Sequence, residues 1–344
     1  MRKRTIIGLC LLAFCIACRY LRPVADFYAE KLYPVISGGL SAIASTVPFS
    51  LEEIVVLCFT VAVITIIVRA IRRREKFARW SWRLISTLIW VLVWLYMGWG
   101  NNYYRTGLYE RGGIQRLAYD EAEFKAFLQS YTAGLNKSAA EAGSYDKDLL
   151  EDEIKEFYAI EASRYGYTKL RSWQHIKRPV FNRLFSAVTV QGYMGPFFCE
   201  SQVNSDVSEA EYAFVAAHEM AHLAGVTSEA EANYWGFACC RISQSGATRY
   251  SGYLGLLPHV LMNAKGLLPE EDFDAWTASI CDKAKSDYTE ARQNWKEKRV
   301  DWIEKAQRYL QDLMLKGNGV RTGTKDYFGV VAMVMTMDAA RGRQ

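Results

Sequence analysis

Histidine is scarce in this chain, with four residues in 344. An imidazole metal site can be built in few ways from so small a stock, so a pair at ligand spacing carries weight. Of the eight cysteines, Cys15 and Cys18 stand at CxxC spacing but inside an apolar run, so no CxxC pair suggests a cysteine zinc site. The chain has no internal repeat and no low-complexity linker. A nucleic-acid footprint is missing too. Residues 1–100 hold 13 Lys+Arg against 5 Asp+Glu, and residues 101–344 hold 29 against 32. The basic excess belongs to the apolar N-terminal third, and the mildly acidic remainder offers no basic face to nucleic acid.

What the first third does have is apolar length. Residues 5–21 follow Met1-Arg2-Lys3-Arg4, residues 51–71 form a second run, and residues 82–100 form a third with Trp82, Trp90, Trp94, Tyr96 and Trp99. Crossing the hydrocarbon core takes about 20 residues. The second and third runs meet that length and the first sits at its limit. A cleaved signal peptide is the alternative for the first, but Cys15-Ile16-Ala17-Cys18-Arg19 offers no clean small-residue site. Lipidation at Cys18 is disfavoured because Cys15 stands where Leu is expected. Three membrane helices are therefore expected, with Glu52 and Glu53 at an interfacial end.

Cation placement sets the sidedness. Arg69, Arg72, Arg73, Arg74, Lys76, Arg79 and Arg83 crowd the loop between the second and third runs, against only Arg19, Arg22 and Lys31 between the first and second. The crowded loop is expected in the cytoplasm with the N-terminus. Residues 101–344 then form an extracytoplasmic domain on a 1–100 anchor in the cell membrane. Cys10, Cys15, Cys18 and Cys58 read as packing residues in apolar segments. Cys199, Cys239, Cys240 and Cys281 lie where a disulfide is permitted, with no pairing assigned.

The outer part reads as mainly helical α+β. Helices are expected over 120–142, 146–165, 208–224 and 228–243. A long amphipathic one is expected over 287–316, with Trp295, Trp302, Ile303, Leu310 and Leu313 facing a core. A short strand is expected at Ala187-Val188-Thr189-Val190, a turn at Gly192-Tyr193-Met194-Gly195-Pro196, a further strand over 197–203, and a buried helix over 327–337. The small sheet should lie beside the helix over 208–224, where Ser208 and Glu211 suit a capping box.

That helix carries His218-Glu219-Met220-Ala221-His222. Histidines four apart stack on one helical face. Their imidazoles can hold one Zn2+ at about 2.0–2.1 Å each. Glu219 can then reach a water beside the metal, take its proton and pass it to a leaving amine. The flanking Val215-Ala216-Ala217 and Leu223-Ala224 are uncharged, as a helix buried beside a cleft requires; a solvated helix carrying two structural histidines would not show this. A third ligand is expected after the turn at Gly225, in the block Glu229-Ala230-Glu231-Ala232-Asn233. Glu229 is the choice, with Glu231 the alternative and Asn233 an orienting residue one turn after Glu229. The pattern HExxHxxGxx would place its third ligand at Ser228, a poor zinc donor. Arg249, Tyr250, Tyr253 and His259 are candidates for stabilising an oxyanion, and strand 197–203 for the edge that an extended peptide joins. His175 reads as a structural or surface histidine.

Over nearly its whole length the chain resembles the bacterial membrane proteins grouped as domain of unknown function 3810, which are similar to Glu-ligand zinc metallopeptidases. The resemblance is carried by the apolar N-terminal helices, Gly192-Tyr193-Met194-Gly195, Glu200, the His218–His222 motif and the Glu229–Asn233 block. Tyr250-Ser251-Gly252-Tyr253, Leu315-Lys316-Gly317-Asn318-Gly319-Val320 and Asp326-Tyr327 complete it. Glu-x-x-Ala-Asn is similar to a metallopeptidase third-ligand motif whose first Glu binds the metal, which implies Glu229. The expectation is a zincin-like domain with one Zn2+ that cleaves peptide or protein substrates near the bilayer. A metallopeptidase-like sensor or transducer, or a non-catalytic membrane assembly protein, is the alternative.

Overall fold

The computed structural model describes residues 2–318 and 329–342. The first apolar run forms α1 (Arg2–Tyr20), which packs along a later helix where Gly8 faces Ile89 and Trp90. Leu21 is extended and Pro23 opens α2 (Arg22–Phe27), so the helix cannot run straight on. A π-helical segment (Tyr28–Leu32) leads into α3 (Tyr33–Ala44), and the path bends by 115° between Lys3–Tyr20 and Arg22–Ala44.

Among the described residues two helices are long and apolar enough to cross a membrane: α4 (Leu51–Arg72) and α5 (Phe77–Gly98), of 22 residues each. The first run qualifies only when counted with α2 and α3 as one bent pair, so two of the three expected spans meet the length and apolarity by themselves and the third only as a bent pair. The break is at Leu21. α5 also begins ahead of Trp82, because nothing in Phe77-Ala78-Arg79-Trp80 stops a helix.

The chain after α5 continues with α6 (Leu108–Arg111), α7 (Glu121–Glu141) and α8 (Lys147–Tyr165). Asp120 and Asp146 cap α7 and α8 by accepting backbone N–H bonds. β1 (Ile176–Lys177), α9 (Asn182–Ala187), β2 (Gly192–Gly195) and β3 (Glu200–Val203) follow. Two expectations fail here. Residues 187–190 end α9 in a turn in which Val188 and Val190 both donate to the Phe185 carbonyl, so no strand forms. Gly192 to Gly195 are a strand, because their glycines serve close approach to other segments rather than chain reversal. The sheet order is β1-β3-β2, with β3 parallel to β1 and antiparallel to β2. β3 is therefore central and cannot be the receiving edge; β2 is an edge among the described residues.

α10 (Glu209–Leu223) and α11 (Glu229–Arg241) form a hairpin against α12 (Gly246–Leu267). Fully buried Ala213, Ala216, Ala217 and Ala221 let α10 sit close to its neighbours. Ser208 occupies the N-cap position of α10, but its hydroxyl donates to the Glu211 carboxylate instead of capping the backbone. The chain ends with α13 (Glu270–Ala278), α14 (Asp282–Lys298), α15 (Asp301–Gly317) and α16 (Val330–Arg341). The single long helix expected over 287–316 is two, parted where the Val300 N–H leaves the helix to pair with the Ala187 carbonyl (2.8 Å). Trp295 is buried as expected, whereas Trp302, Leu310 and Leu313 are exposed. α16 is buried through Val330, Val331, Val334 and Met337. Gly319, Val320, Asp326 and Tyr327 lie outside the described residues. All eight cysteines are free thiols; Cys15 and Cys18 are buried, Cys10 and Cys58 exposed.

One contiguous core unites both parts of the chain: Tyr28, Tyr33 and Trp99 share it with Phe214, Met220 and Trp235. Carboxylates fasten α4 to the sheet. Glu52, 1% exposed, accepts from the N–H groups of Phe197 and Phe198 and from Tyr193 Oη. Glu53 accepts from the N–H groups of Val180 and Phe181. In return, Glu200 accepts from the first N–H groups of α4, at Leu51 and Glu52, and from Lys177 Nζ (2.6 Å). Glu52 and Glu53, expected merely to mark an interface, are structural clamps.

Removing one partner of a buried pair leaves a charge without compensation and costs about 3–5 kcal/mol, while exposed pairs are worth about 0–1 kcal/mol. Glu200→Ala is therefore expected to lower the thermal unfolding midpoint strongly, and Asp301→Ala, which breaks the exposed pair with Arg299, to leave it nearly unchanged. Equal midpoints for the two variants would contradict the clamp.

Candidate metal centre

His218 and His222 lie one turn apart on α10 with their Nε2 atoms 3.1 Å from each other. After Leu223 the chain reverses at Gly225, whose φ of +98° is one that side chains avoid. The turn closes with the Gly225 N–H on the His222 carbonyl and the Val226 N–H on the Ala221 carbonyl. Ser228 then caps α11 by accepting from the Glu231 N–H. This brings Glu229 Oε2 to 3.4 Å from His218 Nε2 and 3.7 Å from His222 Nε2.

The triangle has the size a tetrahedral ion needs. Donors at about 2.0–2.1 Å from zinc lie about 3.3–3.4 Å from one another. Separations of 3.1, 3.4 and 3.7 Å bracket that value. One atom from each of the three residues can thus converge on one ion. The Val226 carbonyl accepts from His222 Nδ1 (2.8 Å), which leaves the Nε2 lone pair of the neutral ring facing the site. From the far side, Trp99 Nε1 donates to the His222 carbonyl (2.8 Å), and its ring meets the His222 ring edge-on at 6.0 Å.

Electrostatics point the same way. Burial depresses the His222 pKa, but the Glu229 carboxylate outweighs burial and holds it up to about 9. Burial works to raise Glu229, and the two imidazoles outweigh that, leaving it below the usual carboxylate range. Glu219 is pushed up by burial, with the imidazoles opposing and Glu229 adding. The Glu229 carboxylate thus favours a positive charge beside it, which a proton on His222 can also supply, and two imidazoles with one carboxylate are a donor set of the kind zinc takes.

Glu219 is buried on the side of α10 that faces the sheet. Its carbonyl accepts from Ser201 Oγ (3.1 Å) on β3, and its carboxylate lies against Gly192 on β2. A Cβ at Gly192 would fall 2.6 Å from Glu219 Cγ and 2.8 Å from Cδ. Only glycine lets the edge strand come this near.

Of the other expected residues, Glu231 turns away: its carboxylate accepts from Tyr167 Oη and lies 3.8 Å from Arg111. Asn233 Nδ2 is 3.4 Å from His259 Nε2, so its neighbour is an expected oxyanion candidate rather than a ligand. The remaining oxyanion candidates are engaged elsewhere. Arg249 donates to the Ser243 and Gln244 carbonyls and to Glu141. Tyr250 Oη donates to Asp287 (2.6 Å), and Tyr253 packs between Tyr131 and Phe237 with its hydroxyl against Gly134. These three build the α12 interface, because their α12 positions turn them towards α7 and α14. His175 pairs with Glu151 at the surface. Sequence reasoning missed Trp99, Gly192 and Tyr103. Burial raises the Tyr103 phenol, and the Glu229 charge raises it further.

The model of the family described as protein of unknown function (DUF3810) matches residues 28–335. The chain belongs to the DUF3810 family. The DUF3810 match begins at the π-helical segment and takes in Tyr33, Trp99, both site helices and the first half of α16, leaving α1 and α2 outside. No curated protein and no solved structure matches the chain.

If Glu229 completes the donor set, Glu229→Gln weakens zinc binding by more than the about 10–100-fold that loss of an outer partner costs. Glu231→Gln is expected to change it little. Titration against a chromophoric chelator measures both; equal losses, or tight zinc retained by Glu229→Gln, would contradict the assignment.

Proposed function

We propose that this DUF3810 member is a membrane-anchored zinc peptidase of the Glu-ligand, zincin-like type, hydrolysing peptide bonds outside the cytoplasm. The observation that carries the reading is the His218–His222–Glu229 triangle with Glu219 buried beside it against an edge strand. One Zn2+ held by those three residues would supply a Lewis acid that polarises a scissile carbonyl and makes water more acidic.

The remaining work falls to side chains and backbone. Glu219 accepts a proton from the attacking water and delivers it to the leaving amine. The open edge of β2 accepts the substrate as an added strand, with backbone hydrogen bonds fixing its register. Gly192 keeps that edge within reach of the Glu219 carboxylate. His259, beside Asn233, is the candidate for facing the charge that develops on the carbonyl oxygen.

Sidedness supports an outer site. Residues 1–100 serve as the anchor and 101–344 as the catalytic part in this reading. The cation-rich loop between α4 and α5 belongs in the cytoplasm. Trp99, which holds His222, stands at the opposite end of α5. The partners are then the bilayer and a peptide or protein substrate, with no role for nucleic acid.

The test uses the full chain, purified with zinc, and a mixed peptide library. Glu219→Gln is expected to reduce cleavage by about 10²–10⁴-fold, the worth of a positioned acid–base group, while zinc stoichiometry holds. Undiminished cleavage would remove Glu219 from the reaction. A second variant, Gly192→Ala, crowds Glu219 and is expected to lower cleavage with the metal still bound; unchanged turnover would contradict the β2 geometry.

A further inference from the structure

α15 is built inside out for a protein in water. At 3.6 residues per turn, Trp302, Ile303, Tyr309, Leu310, Leu313 and Met314 share an arc of about 140°. That arc faces away from the molecule: Trp302 is 73%, Tyr309 65% and Leu310 64% exposed. The face turned inward carries Glu304, 7% exposed, and Leu315, 2% exposed, with half-buried Gln307 and Gln311 between them. A helix that packs its polar side and presents its apolar side needs an apolar medium outside.

Both ends of α15 are tied to the same level of the membrane helices. At its C-terminus, Asn318 Oδ1 accepts from Tyr96 Oη (2.9 Å) in the last turn of α5 and from Tyr104 Oη (3.0 Å). Arg19, at the end of α1, donates to the Gly317 carbonyl (2.7 Å). At its N-terminus the Val300 N–H meets Ala187 at the end of α9. The residues leading into α9, Val180 and Phe181, are held by Glu53 in the first turn of α4. Val180, Phe181 and Leu184 are themselves exposed and continue the apolar surface. α15 thus runs from the outer end of α4 to the outer end of α5. Exposed Lys305 and Lys316 flank one border of its apolar arc, where headgroup phosphates would meet them.

We infer that α15 is an interfacial helix, lying in the plane of the bilayer with its apolar arc among the lipid acyl chains of the outer leaflet. This rests on the reading that α4 and α5 cross the membrane, and it does not depend on peptidase activity. The helix holds the metal centre at a fixed height above the lipid, so that the site addresses chains emerging at the membrane surface.

The experiment is photocrosslinking of the full chain reconstituted in phosphatidylethanolamine–phosphatidylglycerol vesicles. A benzophenone amino acid is placed at Leu310, at Leu313, at lipid-facing Ile64 on α4, or at Glu290 on the exposed face of α14. All four positions are exposed, and each variant is first checked for the wild-type unfolding midpoint. The expected result is a shift of one phospholipid mass at Ile64, Leu310 and Leu313, and none at Glu290. Adducts at Ile64 alone would overturn the interfacial helix and leave the membrane reading standing. A covalent dimer formed from Leu310 or Leu313 would overturn it in favour of a second copy on this face. Absence of adducts at Ile64 would remove the membrane reading and the proposal with it.

Discussion

The C-terminal end of α10 has to be buried if His222 is to face a dry site, and the last carbonyls of any helix have no partners within it. The Gly225 N–H closes locally on the His222 carbonyl, and further partners come from distant parts of the chain. Trp99 Nε1 serves His222, Tyr33 Oη serves Leu223, and the Thr168 N–H serves Ala224. Two of the three donors belong to the first hundred residues, on either side of the apolar helices. The turn made possible by this arrangement presents the Val226 carbonyl to His222 Nδ1 and swings Glu229 into reach. The placing of His222 and Glu229 therefore depends on the same contacts that dock these residues to the apolar N-terminal helices. A soluble fragment beginning after residue 100 would lose both aromatic donors.

The centre of the site was legible because its determinants are local. Spacing of four places His218 and His222 together on any helix, and a glycine after the helix announces a reversal. Glu229 and Glu231 were harder to separate, since both suit the first turn of a helix; what parts them is Tyr167 and Arg111, which draw Glu231 away. The oxyanion candidates were read from proximity along the chain. Arg249, Tyr250 and Tyr253 lie on faces of α12 whose direction only packing decides. Gly192 looked like a turn residue because glycine has two uses, chain reversal and close approach, and the sequence does not tell which applies.

Elsewhere, pattern was read correctly and its environment was not. The period of α15 is that of an amphipathic helix, and such a helix was expected to turn its apolar side inward. Periodicity gives the faces of a helix but not the medium beyond each. The same limit affected Glu52 and Glu53: acidic residues beginning an apolar run suit a membrane interface, yet these two spend their carboxylates on four backbone N–H groups of the sheet region. The long apolar helices, the clamp, the sheet and the helices that carry His218, His222 and Glu229 consequently share one packed core.

The central claim is a zinc ion held by two imidazoles and one carboxylate. X-ray absorption at the zinc edge on the full chain tests it without reference to any substrate. The account predicts a four-coordinate nitrogen and oxygen shell at about 2.0–2.1 Å, with the outer scattering of two imidazoles, reduced to one in His222→Ala. A shell containing sulfur at about 2.3 Å, or an imidazole signal unaltered by His222→Ala, would contradict it.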